Sequence, residues 1–306
     1  MSRVIVAGAG VVGLSCAAQL LAEGHRVDVI ARDLPRETTS AVAAALWFPY
    51  RALPYDRVLG WSRTSYEVFA RLAVEAPESG VTMRAGVELP LETHERPWWA
   101  DAVPDLAETF LVPDGYEMGW TFRAPVVEMP VYLDWLAGVV LERGGTITRM
   151  NLTGLPTGAD VVVNCTGIAA RFLADDPSVH PVQGQVVVVE QVGLDRWWLE
   201  GAGPTYVVPR SHDIVLGGTD VAGEWSRTPS PEVASSILRR ALRLVPELAG
   251  AEVLAHRVGL RPSRPEVRLE RVDGVVHCYG HGGAGVTLSW GCAQEVAGLV
   301  AGPDAG

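Results

Sequence analysis

The chain has no lysine: all 25 basic residues in its 306-residue sequence are arginine. This absence excludes covalent catalysis through a lysine Schiff base, and it excludes a Walker-type phosphate site, which needs a lysine. A side-chain cation that binds a substrate in this protein is therefore an arginine or a histidine.

Positive charge is scarce as well, because 36 acidic residues leave a formal net charge of -11. A nucleic-acid binder normally carries a basic face, so this balance argues against a nucleic-acid partner. No apolar run approaches the roughly 18 residues of a membrane span, and the first strand pattern starts at Arg3, too early for a signal peptide. We expect a cytoplasmic protein with no membrane partner, either a monomer or a homodimer.

The cysteines are few and widely spaced along the sequence. The four of them are Cys16, Cys165, Cys278 and Cys292, and none forms a CxxC pair. This spacing matches neither a zinc site nor a disulfide framework. We expect four small buried thiols and no bound metal.

The first thirty residues have the pattern of a βαβ unit. A buried-strand run at 4–7 leads into Gly8-Ala-Gly10-Val-Val-Gly13, a helix pattern at 14–22 and a second strand at 26–31. In such a turn the first glycine permits the bend, the second lets a pyrophosphate approach the backbone, and the third lets helix and strand pack closely. The free N–H groups at the helix start favour phosphate. The pattern predicts a dinucleotide site.

The end of the second strand leaves the identity of the dinucleotide open. Asp33 suits a ribose hydroxyl, whereas Arg32 suits the 2′-phosphate of NADP. Two later segments favour FAD. Residues 160–167 resemble a strand and turn of FAD enzymes, and residues 279–292 form a glycine-rich turn that leads into a helix. Such a turn brings backbone close to a flat ring, and the helix dipole stabilises negative charge on it.

Stretches at 38–47, 160–167, 181–185, 258–268 and 279–287, together with the first βαβ unit, resemble the D-amino acid oxidases. The most specific are the GxRPxRPxxR run at 259–268 and the YGHGGxGxT run at 279–287. Members of that family transfer a hydride from the substrate α-carbon to FAD. The imino acid then hydrolyses to a 2-oxo acid and ammonia, and O2 reoxidises the flavin to give hydrogen peroxide. The resemblance implies the same activity here.

The resemblance also implies an α/β fold with an α+β substrate part. We expect a discontinuous Rossmann-like FAD-binding domain at 1–50, 131–182 and 255–306. A discontinuous substrate-binding domain on a mixed or antiparallel sheet would take 51–130 and 183–254. Local patterns predict helices at 61–75, at 131–142 and after Ser230, and a hairpin with strands at 206–209 and 214–217.

Five residues are the predicted substrate contacts. By resemblance, Arg261 pairs with the α-carboxylate through its planar two-donor fork, Tyr206 adds a hydrogen bond, and the Gly283 carbonyl accepts from the amine. Tyr50 and Asp220 are the other two. An acid at 220 would repel acidic side chains, so neutral or basic D-amino acids are favoured. The alternatives are a core role for Tyr206 and an exposed turn for Asp220.

Three arginines and one histidine near these contacts have alternative structural roles. Arg261, Arg264 and Arg268 would form ion pairs along a strand if none of them met the substrate. His281 lies beside the predicted flavin cradle, where we expect a structural role or a cofactor contact rather than a catalytic base.

The predicted cofactor contacts follow the glycine turns and the segment after residue 37. They are Ala7, Gly8, Gly10, Val11, Val12, Gly13, Ala31, Arg32, Asp33, Thr38, Thr39, Ser40, Ala44, Ala45, Leu46, Thr166, Gly167, Arg261, His281, Gly282, Gly285, Val286 and Thr287.

Three positions depart from the family pattern. Ala202 replaces a lid tyrosine, which predicts a more open pocket and less lid-limited product release. Ala284 replaces an aromatic residue, and Ala45 replaces a glycine near the flavin.

Three other functions stay open. A sibling oxidase would act on glycine or sarcosine, although sarcosine oxidases use a lysine near the flavin and this chain has none. An NADP-linked reductase and a non-catalytic flavin-binding protein are the other two.

Overall fold

The computed structural model describes residues 1–90, 95–201 and 203–302, and these form one mixed sheet flanked by helices. The strands are β1 (Arg3–Ala7), β2 (Arg26–Ala31), β3 (Val81–Leu89), β4 (Ala107–Thr109), β5 (Gly119–Val127), β6 (Thr146–Arg149), β7 (Val161–Asn164), β8 (His180–Glu190), β9 (Trp197–Glu200), β10 (Tyr206–Pro209), β11 (Asp213–Gly217), β12 (Val221–Ala222), β13 (Val253–Val272) and β14 (Val275–His281). The helices are α1 (Val11–Ala22), α2 (Tyr55–Glu75), α3 (Met129–Glu142), α4 (Ala170–Leu173), α5 (Pro231–Leu244) and α6 (Gly285–Ala301).

One half of the sheet is parallel, with the order β14-β7-β1-β2-β6. Its strands are short and rich in valine and isoleucine, and residues such as Val6, Val29 and Val163 are completely buried. Strands that are covered on both faces have this composition. The predicted βαβ unit is therefore present as β1-α1-β2, and the predicted α/β fold is confirmed.

The other half is mainly antiparallel and contains β8, β11, β10, β9, β3, β5 and β4 in order. Helix α5 covers part of it and buries Ile237 and Ala241. The Ser230 hydroxyl caps this helix by accepting the N–H of Val233 at 3.3 Å. The predicted hairpin is formed by β10 and β11.

Strand β13 joins the two halves. Its first part pairs with β8 and its last part with β14, and the register shifts between Ser263 and Arg268. The single strand places residues 261–264 at the junction, beside the carboxyl ends of the parallel strands. Ligands of open α/β sheets bind at these ends. One continuous sheet crosses both halves, and the predicted domain boundary between residues 254 and 255 falls within β13. The two-domain assignment therefore stays a prediction.

Two predicted helices begin earlier than the sequence pattern indicated. Helix α2 starts at Tyr55 rather than 61, and its first turn carries Asp56, whose negative charge suits a helix N-terminus. Helix α3 starts at Met129 and contains Pro130 in its first turn, where proline is tolerated. In the part of the chain described here, no helix is both long and apolar enough to cross a bilayer.

Candidate active site

A cavity of about 470 Å³ runs along the carboxyl ends of β1, β2, β7 and β14. This volume lies in the range of cofactor and ligand sites. Every predicted substrate or cofactor contact except Ala7 lines it. Ala7 is the last residue of β1 and is fully buried, and its carbonyl accepts the N–H of Cys165 at 2.8 Å.

The glycine turn after β1 leaves no room for side chains. Gly8 has a φ of +113°, and a Cβ atom there would lie 2.3 Å from the carbonyl oxygen of Cys165. A Cβ atom at Gly13 would lie 2.0 Å from the carbonyl oxygen of Gly8. The Val11 N–H donates to the Ser40 hydroxyl at 3.0 Å, which fixes the segment after residue 37 against the helix start. This bare backbone at a helix N-terminus fits a pyrophosphate.

Arg32 and Asp33 lie at the far end of the cavity and bind each other. The guanidinium donates from Nε at 3.0 Å and from Nη2 at 2.6 Å to the two carboxylate oxygens. These hydrogen bonds from Arg32 lower the pKa of Asp33, so Asp33 is an acceptor at neutral pH. The arginine fork is occupied, which leaves Asp33 better placed for a ribose hydroxyl than Arg32 for a 2′-phosphate.

The opposite end of the cavity is built from residues 38–48 and 281–287. The Thr287 hydroxyl accepts the N–H of Phe48 at 3.1 Å and donates to its carbonyl at 2.9 Å, which joins the two segments. Ala45 has a φ of +57°, in the left-handed region that favours glycine. The position that departs from the family glycine thus keeps a glycine-like backbone.

Arg261 lies near the middle of the cavity wall on β13, with its side chain 20% exposed. Its Nη1 donates to the Thr219 carbonyl at 2.8 Å. The guanidinium lies flat on Gly184, where a Cβ atom would be 2.5 Å from Cζ. A Cβ atom at Gly283 would lie 3.6 Å from the Arg261 Cδ and 3.2 Å from the Tyr50 ring, so all three residues meet.

Tyr206 approaches Arg261 from β10. Its ring covers Gly217, where a Cβ atom would lie 1.8 Å from the ring carbon Cζ. Loss of solvent around the hydroxyl raises the pKa of Tyr206, and the nearby Arg261 opposes that rise. The hydroxyl is therefore a protonated hydrogen-bond donor beside the guanidinium, and the tyrosine is not a plain core residue.

Asp220 faces the cavity and is not an exposed turn residue, since its side chain is only 17% exposed. Its Oδ2 accepts from the Tyr50 hydroxyl at 3.1 Å and from Arg51, and its Oδ1 lies 3.5 Å from Nη1 of Arg261. Burial and the charge of Asp220 raise the pKa of Tyr50 to about 12. Asp220 therefore places one negative charge beside Arg261, between Tyr50 and the mostly exposed Arg51.

The other two arginines of the motif form structural ion pairs. Arg264 pairs with Asp176 at 2.9 Å. Arg268 pairs with Glu270 at 2.6 Å and donates to the Tyr279 hydroxyl at 2.7 Å. The Arg264 and Arg268 guanidinium groups are thus engaged in ion pairs, whereas the Arg261 guanidinium lies among the predicted substrate contacts.

The cysteines differ from the sequence expectation in one respect. All four are buried and free, as expected. However, they are not scattered: the sulfur atoms of Cys16 and Cys165 lie 4.0 Å apart, and that of Cys278 lies 3.9 Å from Nε2 of His281. His281 is buried and lines the cavity.

Ala202, the predicted site of a missing lid residue, lies outside the described residues. Its neighbours Gly203 and Pro204 line the cavity. No sequence motif indicated the roles of Gly184, Gly217 and Thr219. Gly184 lies in a stretch that resembles the family, and Gly217 and Thr219 lie within the three residues before Asp220, but the sequence assigned none of them a role.

Comparison with known proteins agrees with this geometry. The chain matches the family model DAO, described as FAD dependent oxidoreductase, over residues 3–299. A D-amino-acid oxidase of Rubrobacter xylanophilus is 50% identical, across 98% of this chain and 96% of that protein. Another of Streptomyces coelicolor is 44% identical, across 97% and 96%. A glycine oxidase structure from Geobacillus kaustophilus has a TM-score of 0.83 at 21% identity, covering 98% and 95%, and shows the same fold.

Proposed function

The chain belongs to the DAO family of FAD-dependent oxidoreductases, and on this premise we propose that it oxidises D-amino acids, neutral or basic ones in preference. The products are 2-oxo acids, ammonia and hydrogen peroxide, with O2 as the second substrate. The meeting of Arg261, Tyr206 and Gly283 in the wall of the cofactor cavity supports this most directly. The two relatives named D-amino-acid oxidase agree with it.

FAD is the cofactor of this family, and the cavity fits it. Gly8, Gly10 and Gly13 would hold the pyrophosphate, Asp33 the ribose, and the segments 38–48 and 281–287 the flavin. The fit rests on Gly8 and Gly13, where a Cβ atom would collide with neighbouring backbone, so the turn keeps the bare backbone that a pyrophosphate needs. When bound, FAD supplies the hydride acceptor and the path of the electrons to O2.

Arg261 would hold the substrate carboxylate. A guanidinium binds a carboxylate with two parallel hydrogen bonds, which fixes its direction as well as its place. The bond from Nη1 to the Thr219 carbonyl and the flat contact with Gly184 hold this fork still before the substrate arrives. The protonated Tyr206 hydroxyl would donate a further hydrogen bond.

The Gly283 carbonyl would accept a hydrogen bond from the substrate amine. With the carboxylate and the amine both held, the Cα–H bond takes one direction, and positioning supplies much of the rate. The substrate reacts as its free amine, so no side-chain base is needed. Handedness follows once the cavity also places the side chain, because with three substituents placed only one enantiomer directs its Cα–H bond towards the hydride acceptor.

Asp220 would set the side-chain preference. Its charge lies beside Arg261 and repels a second carboxylate in the substrate, whereas a basic side chain is attracted. Arg51 pairs with Asp220 from the outside and moderates this effect. Neutral and basic D-amino acids are therefore favoured over acidic ones.

An anaerobic absorbance scan of the purified protein tests this function. The flavin bands should bleach on addition of D-alanine or D-lysine, with little change for D-aspartate, glycine, sarcosine or L-alanine. Bleaching by glycine or sarcosine alone would instead assign the protein to the sibling oxidases. A flavin that no D-amino acid bleaches would overturn the proposal.

A cytoplasmic location and a monomeric or dimeric state are also proposals. The location is supported by four free cysteines, which are typical of a reducing compartment. Fractionation of the source cells tests the first, and size-exclusion chromatography with light scattering tests the second.

A further inference from the structure

The four cysteines come from four different elements of the parallel half of the sheet. Cys16 lies in α1, Cys165 directly after β7, Cys278 in β14 and Cys292 in α6. They are the chain's full complement of cysteine, and all are buried. We call these four residues, together with His281, the thiol cluster.

The thiol cluster contains two groups of three donor atoms, each compact enough to hold one ion. The sulfur atoms of Cys16, Cys165 and Cys278 lie within 4.8 Å of one another. The sulfur atoms of Cys278 and Cys292 and a ring nitrogen of His281 form a second group within the same limit. Cys278 belongs to both groups and is the centre of the cluster.

These separations match a metal site after small side-chain movements. A tetrahedral zinc ion with bonds of about 2.3 Å to sulfur and about 2.1 Å to nitrogen keeps its ligand atoms about 3.5–3.8 Å apart. Two pairs of the cluster, Cys16–Cys165 and Cys278–His281, already lie 4.0 and 3.9 Å apart. Rotation and shifts of buried side chains by less than about 1 Å would close the remaining gap.

The donor types select the class of ion. Thiolates and an imidazole are soft or intermediate ligands, which favour Cu(I) and zinc over magnesium, calcium or manganese. Cys165 and Cys278 also line the cofactor cavity, so an ion can reach the cluster through it. A ligand set, a common centre and an entry path are thus present together.

We propose that the thiol cluster binds one thiophilic metal ion, Zn²⁺ or Cu(I), with Cys278 as a ligand in either case. Binding replaces the thiol protons, which leave to solvent as the ligands deprotonate. Because Cys165 and His281 line the cofactor cavity, bound FAD covers the entry path, and the apoprotein takes up the ion faster than the FAD-bound protein.

Dialysis of the full-length protein tests this: the rate of metal uptake is compared with and without FAD, and the amount bound is measured at equilibrium. The reduced protein is dialysed against Zn²⁺ or Cu(I) in the presence of a competing chelator, and bound metal is measured by mass spectrometry. One of the two ions should remain at one per chain, and the ion retained identifies the natural preference. Cys278→Ala should weaken its affinity by about 100-fold or more, since even loss of an outer partner of a metal ligand costs 10- to 100-fold.

His277→Gln is the matched control. His277 is the neighbour of Cys278 in β14 and is also buried, but its Nδ1 lies 3.3 Å from the Asn164 amide, away from the cluster. This variant should retain the ion. Equal retention by the wild type and by Cys278→Ala, or retention of neither ion, would overturn the proposal.

Cobalt(II) gives a second readout that needs no variant. Added to the reduced wild-type apoprotein, it should produce sulfur-to-metal charge-transfer absorption, which free thiols do not show. Absence of these bands excludes zinc, and absence of both these bands and retained Cu(I) overturns the proposal even if Cys278→Ala does not fold. Because the readouts are metal content and absorption, they are independent of any activity towards D-amino acids.

Discussion

Gly184 lies directly beneath the guanidinium of Arg261, so that a Cβ atom at residue 184 would come within 2.5 Å of Cζ. The two residues occupy adjacent strands, β8 and β13, near the junction of the two halves of the sheet. The flat contact fixes the direction of the fork and depends on the absence of a side chain at residue 184.

Gly184→Ala should therefore displace the fork. We expect kcat/KM for D-alanine to fall about 10- to 100-fold, the effect expected of misplacing a positioning group by about 1 Å, with FAD content unchanged. Gly138→Ala is the matched control, because no atom lies within 4 Å of a Cβ atom there. It should keep full activity and raise the free energy of unfolding by up to about 1 kcal/mol, since alanine is the better helix former. Equal activity of both variants would contradict the role of the contact.

Arg261→Ala should abolish rapid bleaching of the flavin by D-alanine. Loss of two charge-assisted hydrogen bonds, at about 1.5–3 kcal/mol each, predicts a fall in kcat/KM of at least about 100-fold. Arg268→Ala, in the same motif, should lower the melting temperature but change kcat/KM by less than about 3-fold. Stopped-flow reduction of the flavin under anaerobic conditions compares the two variants. Similar losses of activity in both would contradict a substrate role for Arg261 alone among these two arginines.

Asp220→Asn should change the side-chain preference. Removing one charge several ångströms from the substrate side chain is worth about 1–2 kcal/mol, or about 10-fold in kcat/KM. We expect D-lysine to react about 10-fold less well and D-aspartate about 10-fold better, with D-alanine as the internal control. A uniform change for all three substrates would show that Asp220 acts only through Arg261.

Glu88→Gln should change how stability depends on pH. Glu88 is buried, its Oε2 has no hydrogen-bond partner among the described residues, and burial raises its pKa to about 7. The pKa of Glu88 is thus higher in the folded protein than its ordinary value of 4.5, which applies to the unfolded chain. The stability that comes from binding this proton is complete below pH 4.5 and is lost as the pH rises towards 7.

The substitution should therefore stabilise the protein more as the pH rises. Relative to the wild type, the free energy of unfolding of Glu88→Gln should gain up to about 3 kcal/mol between pH 5 and pH 8. Urea unfolding at both pH values measures it. A difference between the two proteins that stays constant with pH would show that Glu88 is ionised at no cost.

Ala45→Gly should be tolerated although the residue is buried near the flavin. A non-glycine residue at a φ of +57° costs about 1–2 kcal/mol, which glycine relieves. The gain offsets the larger entropy of glycine in the unfolded chain, so stability should stay equal or rise by up to about 1 kcal/mol. Ala43→Gly, at a φ of -62°, should instead lose about 0.4–1 kcal/mol. Thermal unfolding with FAD bound compares the two, and the opposite order would contradict the strain at Ala45.

Much of the fold could be predicted because it depends on local spacing. The glycine turn, the β10–β11 hairpin and the Ser230 cap each lie within a few consecutive residues, where turn and capping preferences act directly. The family resemblance supplied Arg261, Tyr206 and Gly283, which the structure places together. The resemblance left open whether the Asp220 side chain faces the cavity. Its orientation depends on hydrogen bonds from Tyr50 and Arg51, about 170 residues away in sequence.

The meeting of the cysteines could not be predicted. Cys16 and Cys165 are 149 residues apart, and no local pattern encodes their contact. It results from strand order: β7 lies between β1 and β14, so the helix after β1 and the helix after β14 converge over it. The spacing rules for metal sites describe ligands on one short segment and therefore miss such an arrangement.

The same strand order constrains how the protein is made. Residues from 8–13 and from 281–287 line one cavity, and β7 separates β1 from β14. While the ribosome is still translating, the early strands have emerged, but the last wall of the cofactor cavity does not exist. A nascent chain therefore cannot capture FAD until β14 and α6 have left the exit tunnel, and flavin loading is a late step that follows synthesis of nearly all the described chain.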